Sequence, residues 1–310
     1  MWKYILKRIF YFIPTILGIS IIVFALIRFI PGDPVEIMLG EHPPTPEQRE
    51  YYMRYLGLDK PIYVQFFVWI RRMLLGDWGV SLLNRMPIRE LVFDRWINTL
   101  RLAIISMVIV TSIGILLGVI SGYRVGTRID KISRFLGILG WSAPSFLKGL
   151  ILILTFSLYL GLFPSFGYGG LAHLILPSIT LSLGGIAYIS RITRGSMLEI
   201  AVQDYIKTAI AKGLRRRTIL FRHILKNALL PVVTMLGGQF GWFLSGSFII
   251  ETIFAFPGIG RLTIQGIETR DYPIVQGCVF FISIIYCAIN LIVDITYVYL
   301  DPRIRYGRKS

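Results

Sequence analysis

The sequence predicts an all-α membrane protein with six transmembrane helices, a long cytoplasmic loop and an external helical insertion. Hydrophobic residues make up 55% of its 310 residues and charged residues only 16%, whereas a soluble domain carries about 25% charged residues. The deficit is concentrated, because residues 102–123, 149–190, 227–250 and 272–293 contain no charge. About 20 apolar residues cross the hydrocarbon core, so these runs exclude a soluble globular protein.

Six spans fit the sequence. The first, at residues 8–30, is longer than the apolar core of a typical signal peptide, and no small-residue cleavage site follows it. We therefore expect an uncleaved first helix. The other spans are expected at residues 102–123, 135–160, 171–190, 227–253 and 272–300.

Two ionisable residues, Lys148 and Asp294, fall inside the predicted spans. Such residues usually face protein or water rather than lipid. Asp294 is expected to pair or hydrogen-bond within the structure. Three interpretations of Lys148 stay open, since it can line a path, cap an interface or mark a misplaced span boundary.

Basic residues are divided unequally between the two sides that six spans create. The two termini and residues 124–134 and 191–226 together hold 20 Lys and Arg but only four acids. The opposite side holds 12 of each, so the whole net charge of +16 lies on one side. The positive-inside rule predicts that this side, with both termini, is cytoplasmic. Because the charge is spread over short loops between spans, we expect a lipid-embedded protein of the cell (inner) membrane and no nucleic-acid partner.

Three parts are expected along the chain. Residues 1–95 hold the first span and most of an external insertion, residues 96–301 form the membrane core, and residues 302–310 form a cytoplasmic tail. Thr45-Pro46-Glu47 is typical of a helix N-terminus, with Gly57 as its stop. A second helix is predicted from Pro61 to Leu75, with Gly76 as its stop. The insertion either caps the spans or docks an external partner.

The cytoplasmic loop, about residues 192–229, is the most informative stretch because it is strongly basic and lies between two spans. We expect two helices in it, at about residues 197–212 and 216–228. Gly213 lies at the join, where glycine adopts a left-handed backbone most easily. A short helix held in this way can dock in a groove on another protein and transmit a push to the spans. The alternative is a basic amphipathic loop on anionic lipid headgroups.

The string from Tyr205 to Leu214, Tyr-Ile-Lys-Thr-Ala-Ile-Ala-Lys-Gly-Leu, resembles the coupling loop of ATP-binding-cassette import permeases. It is most similar to the oligopeptide, dipeptide and nickel branch of the type I importers. The general motif of these permeases is Glu-Ala-Ala followed by Gly and a later Ile-x-Leu-Pro, and this chain departs from it at the Glu, one Ala and the Pro. Four further stretches agree with the branch in order along nearly the whole chain: Pro31–Pro34, Glu251–Leu262, Arg270–Gly277 and Asp301–Tyr306.

The resemblance implies a permease subunit without enzymatic activity, which forms half of a pore and works by alternating access. The partners it implies are a second homologous permease in a heterodimer, two cytoplasmic ATPase subunits that hold ATP and Mg²⁺, and an extracytoplasmic substrate-binding protein. The expected cargo is di- or oligopeptides, with nickel, glutathione or an oligosaccharide as alternatives. The residues that would couple to the ATPase are Asp204, Tyr205, Lys207, Thr208, Ala209, Lys212, Gly213, Leu214 and Arg215.

The chain itself offers no site for a cofactor. The sequence contains no glycine-rich phosphate loop followed by Lys-Ser or Lys-Thr, so the ATPase must be another chain. Its three histidines lie far apart and do not have metal-ligand spacing. Four residues on the fifth span are expected to line the pore: Gln239, Trp242, Ser245 and Ser247.

Two other classes are less well supported. An ion-coupled secondary transporter often shows internal repeats and several buried acids near the membrane midplane, and an integral-membrane enzyme needs a cluster of polar side chains at one depth. Neither pattern is found in the sequence.

Glycine spacing predicts close helix packing. Glycines recur every four residues at Gly114, Gly118 and Gly122, and again at Gly237 and Gly241. Packing within the chain is favoured over a subunit interface.

Overall fold

A computed structural model describes residues 2–29, 45–55, 57–245 and 247–300, and most of these residues are helical. The helices, in chain order, are α1 (Trp2–Phe29), α2 (Pro46–Tyr55), α3 (Ile62–Leu74), α4 (Ile88–Tyr123), α5 (Arg128–Ser142), α6 (Ser145–Tyr159), α7 (Leu171–Ala201), α8 (Asp204–Ala211), α9 (Arg216–Leu244), α10 (Phe248–Ile253), α11 (Ile259–Glu268) and α12 (Tyr272–Leu300). Three of them contain π-helical segments, at Val110–Gly114, Ile153–Tyr159 and Ile219–Leu225.

Within the described residues, five helices are long and apolar enough to cross a membrane, namely α1, α4, α7, α9 and α12. Helices α5 and α6 meet the same condition only as a pair, and they are bent by 105° at the break between them. The break coincides with Pro144, which disfavours a helical backbone at the preceding residue. Ala143 is accordingly extended, with ψ 132°. The six predicted spans are therefore present if the bent pair counts as one, but the third is not a continuous helix over residues 135–160.

Several helix ends differ from the sequence prediction. Helix α4 begins at Ile88, well before the predicted residue 102, and α7 continues past residue 190 to Ala201. Hydropathy marks only the apolar part of a helix, so polar turns at either end are missed. Residues 197–212 do not form one helix, because α7 ends at Ala201 and α8 begins at Asp204. The predicted fifth span over residues 227–253 is divided in the same way between α9 and the short helix α10.

Backbone contacts divide the chain into two compact units. The first consists of Met1–Thr99 and Pro257–Cys287, and the second of Leu100–Phe256 and Ala288–Ser310. The first unit contains both helices that were predicted for the insertion. Gly57 and Gly76 follow them with φ of 69° and 84°, which confirms their predicted roles as helix stops. The expected motif Pro31–Pro34 and the tail at residues 302–310 lie outside the described residues.

The core of the first unit packs the start of α4 against α11 and the first turns of α12. Its buried members include Ile88, Val92, Ile259 and Phe281. The approach is close, since a Cβ added to Gly277 would lie 2.5 Å from Ile88 Cγ2. This packing is why residues 88–101, which carry charge, still belong to a helix.

Asp271 fixes the start of α12 in the first unit. Its carboxylate is fully buried and accepts hydrogen bonds from the Ser81 hydroxyl at 2.5 Å and from the backbone N–H of Leu82 at 3.0 Å. It also accepts the N–H of Ile274 at 3.4 Å, as an N-cap residue does. The carboxylate thus ties the connection before α4 to the beginning of the last helix.

The second unit is built around α7, in which 13 of 31 residues are buried. Gly114, Gly118 and Gly122 allow α4 to approach it, because a Cβ on Gly118 would lie 2.5 Å from Thr193 Cβ. Gly237 and Gly241 on α9 face Val293 and Ile289 of α12 in the same manner. The prediction that these glycines pack within the chain is therefore confirmed.

Lys148 lies just after the bend between α5 and α6, where its half-buried ammonium donates a hydrogen bond to the carbonyl oxygen of Gly140 at 2.9 Å. The side chain therefore faces protein, as expected, and the span boundary there was misplaced. It bridges the bend by satisfying a carbonyl near the C-terminus of α5, where helix carbonyls lack partners within the helix. Asp294 is half-buried. Cys278 and Cys287 are both buried free thiols.

Candidate coupling site

Helix α8 is short and largely exposed. It spans only Asp204–Ala211, and six of its eight residues are exposed. Isolated helices of this length are not stable in water, because nucleation costs more than a few hydrogen bonds return. The helix must therefore be held by its ends and by its two buried residues, Ile206 and Ala209.

The C-terminus of α8 is closed by a Schellman motif around Gly213. The N–H of Leu214 bonds to the carbonyl of Ala209 at 3.3 Å, and the N–H of Gly213 bonds to that of Ile210 at 2.9 Å. This pair of bonds requires a left-handed residue at Gly213, and its φ is 72°. The predicted role of Gly213 at the join is thus confirmed. Its absent Cβ would meet nothing within 4 Å, so backbone conformation alone calls for glycine here.

The N-terminus of α8 is held by local polar contacts. Gln203 supplies the extended N-cap backbone, and the Asp204 carboxylate in the first turn interacts favourably with the helix dipole. Lys207 pairs with Asp204 at 2.8 Å, although the two side chains are 70% and 94% exposed. The hydroxyl of Thr208 donates to the carbonyl of Asp204 at 3.0 Å.

A small apolar cluster attaches α8 to the π-helical start of α9. Ile206 and Ala209 are 2% and 6% exposed and pack with Ile219, and Ile224 lies against the same cluster. One polar contact joins them, because the Asn227 amide donates to the Tyr205 hydroxyl at 3.1 Å. A push on α8 would therefore reach the first turns of α9 directly.

The outer face of α8 mixes exposed apolar and charged residues. Tyr205, Ile210 and Leu214 are 43%, 60% and 39% exposed. Of the residues predicted from sequence for coupling, Ala209 alone is buried, and it anchors the helix instead of facing outward. The others surround the exposed face: Asp204, Tyr205, Lys207, Thr208, Lys212, Gly213, Leu214 and Arg215.

A buried ion pair that the sequence did not predict fixes the end of α7, the helix that leads into α8. Arg194 donates to the Asp130 carboxylate from Nε at 2.8 Å and from Nη2 at 3.2 Å, while Asp130 is almost fully buried. The Ser121 hydroxyl and the Gly126 N–H donate to the same carboxylate. A bidentate, charge-assisted pair of this kind is strong and geometrically specific.

A sequence signal for this ion pair does exist. Thr127 is the N-cap of α5, and its hydroxyl accepts the N–H of Asp130 three residues later. An N-cap Thr followed three positions on by an acid is close to a capping box. That pattern places Asp130 at a helix start, but it does not reveal that Arg194 on another helix is its partner.

The four expected pore residues do not share one environment. Trp242 is 58% exposed, Gln239 is half-buried, and Ser245 donates to its own helix at the carbonyl of Gly241. Ser247 is 7% exposed, and its hydroxyl has no hydrogen-bond partner among the described residues. Within the described part of the chain, no group of three or more His, Cys, Asp or Glu is placed to hold a metal ion.

Comparison with known families identifies the class. Residues 114–306 match the binding-protein-dependent transport system inner membrane component family, and residues 1–103 match the N-terminal family of such membrane components. The chain therefore belongs to the binding-protein-dependent transport system inner membrane component family.

Individual relatives agree with this assignment. The glutathione transport system permease protein GsiC of Escherichia coli (strain K12) is 38% identical over 99% of this chain and all of its own length. The dipeptide transport system permease protein DppB of the same strain is likewise 38% identical over 99% of this chain and its full length. The chain is thus a permease subunit of an ATP-binding-cassette importer in the peptide branch, as the coupling-loop resemblance implied.

Solved structures share the fold. An amino acid ABC transporter with histidines has a TM-score of 0.52 at 19% identity, covering 67% of this chain and 93% of its own. The methionine transporter MetNI in an inward-facing conformation has a TM-score of 0.54 at 20% identity, covering 67% and 97%. At these identities the likeness concerns the fold alone, which is that of the type I importers.

Proposed function

We propose that this chain forms half of a pathway for di- or oligopeptides and that α8 is the element on which an ATPase subunit pushes. The observation that carries this proposal is the exposed, Schellman-capped helix with the Tyr205–Leu214 string. Its small buried face holds it to α9, and its larger exposed face is left for a partner. The chain performs no covalent chemistry in this scheme. ATP and Mg²⁺ are held by two cytoplasmic ATPase subunits.

The mechanism is alternating access. A loaded binding protein and the ATP-bound ATPases each favour one state of the pore, and coupling consists of these differences in affinity. The apolar contact of Ile206 and Ala209 with Ile219 carries the movement of α8 into α9. The ion pair of Asp130 with Arg194 holds the end of α7 while α8 is displaced. A second, homologous permease supplies the other half of the pathway.

Peptides are proposed as cargo because one relative is a dipeptide permease and the coupling string is of the peptide type. Glutathione is a second candidate, since a permease named for glutathione is equally identical to this chain. Dipeptides and glutathione are both small peptides with a free carboxylate. Nickel complexes and oligosaccharides are further alternatives within the same class of importer.

The test of function is transport by the assembled complex. The tagged chain, purified from its native membrane, should bring with it one homologous permease and ATPase subunits. In proteoliposomes with the binding protein, uptake of a labelled dipeptide should require ATP and should be competed by other di- and oligopeptides. Uptake of glutathione alone would replace the peptide cargo, and transport driven by an ion gradient without ATP would refute the importer mechanism.

We further propose that both termini and α8 are cytoplasmic, while α2 and α3 lie outside. The support is the excess of Lys and Arg in the termini and in the loops that include α8. Single cysteines at Asp59 and Lys212, both exposed, test this in a background with Cys278→Ala and Cys287→Ala. In intact cells an impermeant thiol reagent should label Asp59→Cys only. Labelling of Lys212→Cys from outside would reverse the orientation.

A further inference from the structure

Helix α3 of the first unit has an exposed surface that the proposed transport function does not use. Apart from Gln65, Arg71 and Arg72, its 13 residues are hydrophobic or aromatic. The amide of Gln65 is used locally, since it donates to the carbonyls of Leu58 at 3.3 Å and Lys60 at 2.7 Å. A helix that is apolar nearly all round is typical of a protein core or a membrane, and not of a surface in water.

One face of α3 is buried, and the opposite face is exposed although it is also apolar. Ile70 and Met73 are 8% and 4% exposed and belong to the core of the unit. Three apolar side chains are exposed by 67%, 66% and 73%, namely Tyr63, Phe67 and Leu74. At 3.6 residues per turn these three lie within about 40° of one another around the helix axis, and we call them the α3 stripe. Exposed apolar surfaces of this kind mark contact with another protein or with a membrane.

Contacts with two membrane-spanning helices show at what level α3 lies. Phe24 of α1 is 4% exposed and packs with Phe66 and Trp69 at ring-centroid distances of 5.4 and 5.7 Å. Trp69 also approaches Phe280 of α12 at 6.3 Å. Phe24 is the last residue but one of the apolar stretch Leu6–Ala25, and Phe280 lies about 12 Å beyond the start of α12. Helix α3 is therefore packed against the membrane-crossing parts of both helices and not above them.

We propose that the α3 stripe is covered by lipid, so that α3 is an interfacial helix at the boundary between headgroups and acyl chains. Such helices bury an apolar face about 5–10 Å into this boundary. That is the level at which Phe24 and Phe280 contact α3. Arg71 and Arg72 in the last turn are compatible with this setting, because long basic side chains extend to the headgroups while their stems stay in the apolar layer.

Helix α2 provides a contrast within the same insertion. Four of its ten residues are charged: Glu47, Arg49, Glu50 and Arg54. Tyr51 on this helix is 64% exposed, which matches the exposure of Phe67, but its charged neighbours indicate that it faces water. Lipid cover of α3 requires only that the chain spans a membrane. It is independent of the cargo, of coupling through α8 and of which side of the membrane α3 occupies.

Spin labels on single cysteines measure whether the stripe lies in lipid. The full chain, with its accompanying subunits, carries Phe67→Cys, Leu74→Cys or Tyr51→Cys in the background with Cys278→Ala and Cys287→Ala. It is reconstituted in vesicles of phosphatidylethanolamine and phosphatidylglycerol. Labels on the stripe should collide with dissolved oxygen more than with an aqueous nickel complex, and the ratio should give a depth of about 5–10 Å. The label at Tyr51→Cys should collide freely with the nickel complex. All three side chains are exposed, so the substitutions leave the packed core intact.

Equal access of the nickel complex to Phe67→Cys and Tyr51→Cys would overturn the proposal. If such access were lost only after the external binding protein is added, the stripe would be a docking surface for that protein instead.

A charged substitution gives an independent check. Phe67→Asp should lower the unfolding temperature in lipid nanodiscs, because a carboxylate placed in lipid loses its hydration, whereas Tyr51→Asp should not. Equal unfolding temperatures of the two variants would contradict lipid cover. Neither experiment measures transport or its dependence on ATP, so a failure here would leave the importer proposal standing.

Discussion

Asp130 and Asp204 are both aspartates near helix starts in the second unit, and both pair with a cation, but their surroundings are opposite. Asp130 is 1% exposed and pairs with Arg194, which is 22% exposed, while Asp204 is 94% exposed and pairs with Lys207 at 70%. Removing one partner of a buried pair leaves an uncompensated charge in a low dielectric. Removing one partner of an exposed pair leaves a charge that water solvates. The first pair therefore governs stability, and for the polar residues of α8 we propose docking to a partner as the explanation.

The largest effect is expected for Asp130→Asn. The substitution leaves Arg194 without its counter-charge, and breaking a buried pair in this way costs about 3–5 kcal/mol of unfolding free energy. We expect a lower unfolding temperature, followed by tryptophan fluorescence in detergent, and less protein in the membrane. Asp204→Asn is the matched control and should cost less than about 1 kcal/mol. Equal stability of the two variants would show that burial does not decide how much each ion pair contributes to the free energy of unfolding.

A second variant checks the cause of that loss. Replacing Arg194 by Met in the Asp130→Asn background removes the unpaired charge and should recover part of the lost stability. A double-mutant cycle of Asp130 and Arg194 should then give a coupling energy of about 1–3 kcal/mol. Additive effects would mean that the hydrogen bonds from Ser121 and Gly126 or the ion pair with Arg134 at 3.5 Å, and not Arg194, make Asp130 important.

An intermediate effect is expected for Gly213→Val. With φ at 72° and open space around the missing Cβ, the cost is purely one of backbone conformation, about 1–2 kcal/mol. That is enough to distort the end of α8 and comparable to a typical coupling energy. The chain should still accumulate in the membrane, while substrate-stimulated ATP hydrolysis in proteoliposomes falls at least severalfold.

The controls for Gly213→Val separate backbone from surface effects. Asn tolerates the left-handed conformation, so Gly213→Asn should keep most of the coupling. Gly195→Ala, in helical backbone with open space, should be silent. If α8 rests on lipid instead, Gly213→Val should couple normally and only joint replacement of Arg215, Arg216 and Arg217 should impair transport. That result would refute the docking proposal.

Local and long-range features of the fold differ in how far the sequence alone could predict them. The apolar runs, the turn at Gly213 and the helix stops at Gly57 and Gly76 are local signals, because each depends on composition or on one backbone conformation. Asp130 could be placed at a helix start by its spacing from Thr127. Its pairing with Arg194 could not be predicted, because that contact joins residues 64 positions apart on different helices.

Helix ends show the same limit. Hydropathy ends α7 near residue 190, yet the helix continues to Ala201 because the buried pair of Arg194 and packing of Met197 hold its polar last turns. The bend between α5 and α6 has a local cause in Pro144, but its angle of 105° depends on packing that the sequence does not display. The sequence also did not predict which face of α8 is buried. Ala209 was therefore grouped with residues that the structure shows as exposed.

The smallest effect on stability is expected for Lys207→Gln. The pair with Asp204 is solvent-exposed, and such pairs contribute about 0–1 kcal/mol, so the unfolding temperature should hardly change. Docking should respond differently, because charges at the edge of an interface act mainly on association rate and are screened by salt. Binding of the chain to its ATPase should therefore be slower than for the unmodified chain at low ionic strength, and the difference should shrink as salt is added. Lys131→Gln, an exposed lysine on α5 away from α8, should show no such salt-dependent difference. If Lys207→Gln lowers stability as much as Asp130→Asn does, or if its binding defect is independent of salt, then α8 is held by its polar contacts and is not displayed for a partner.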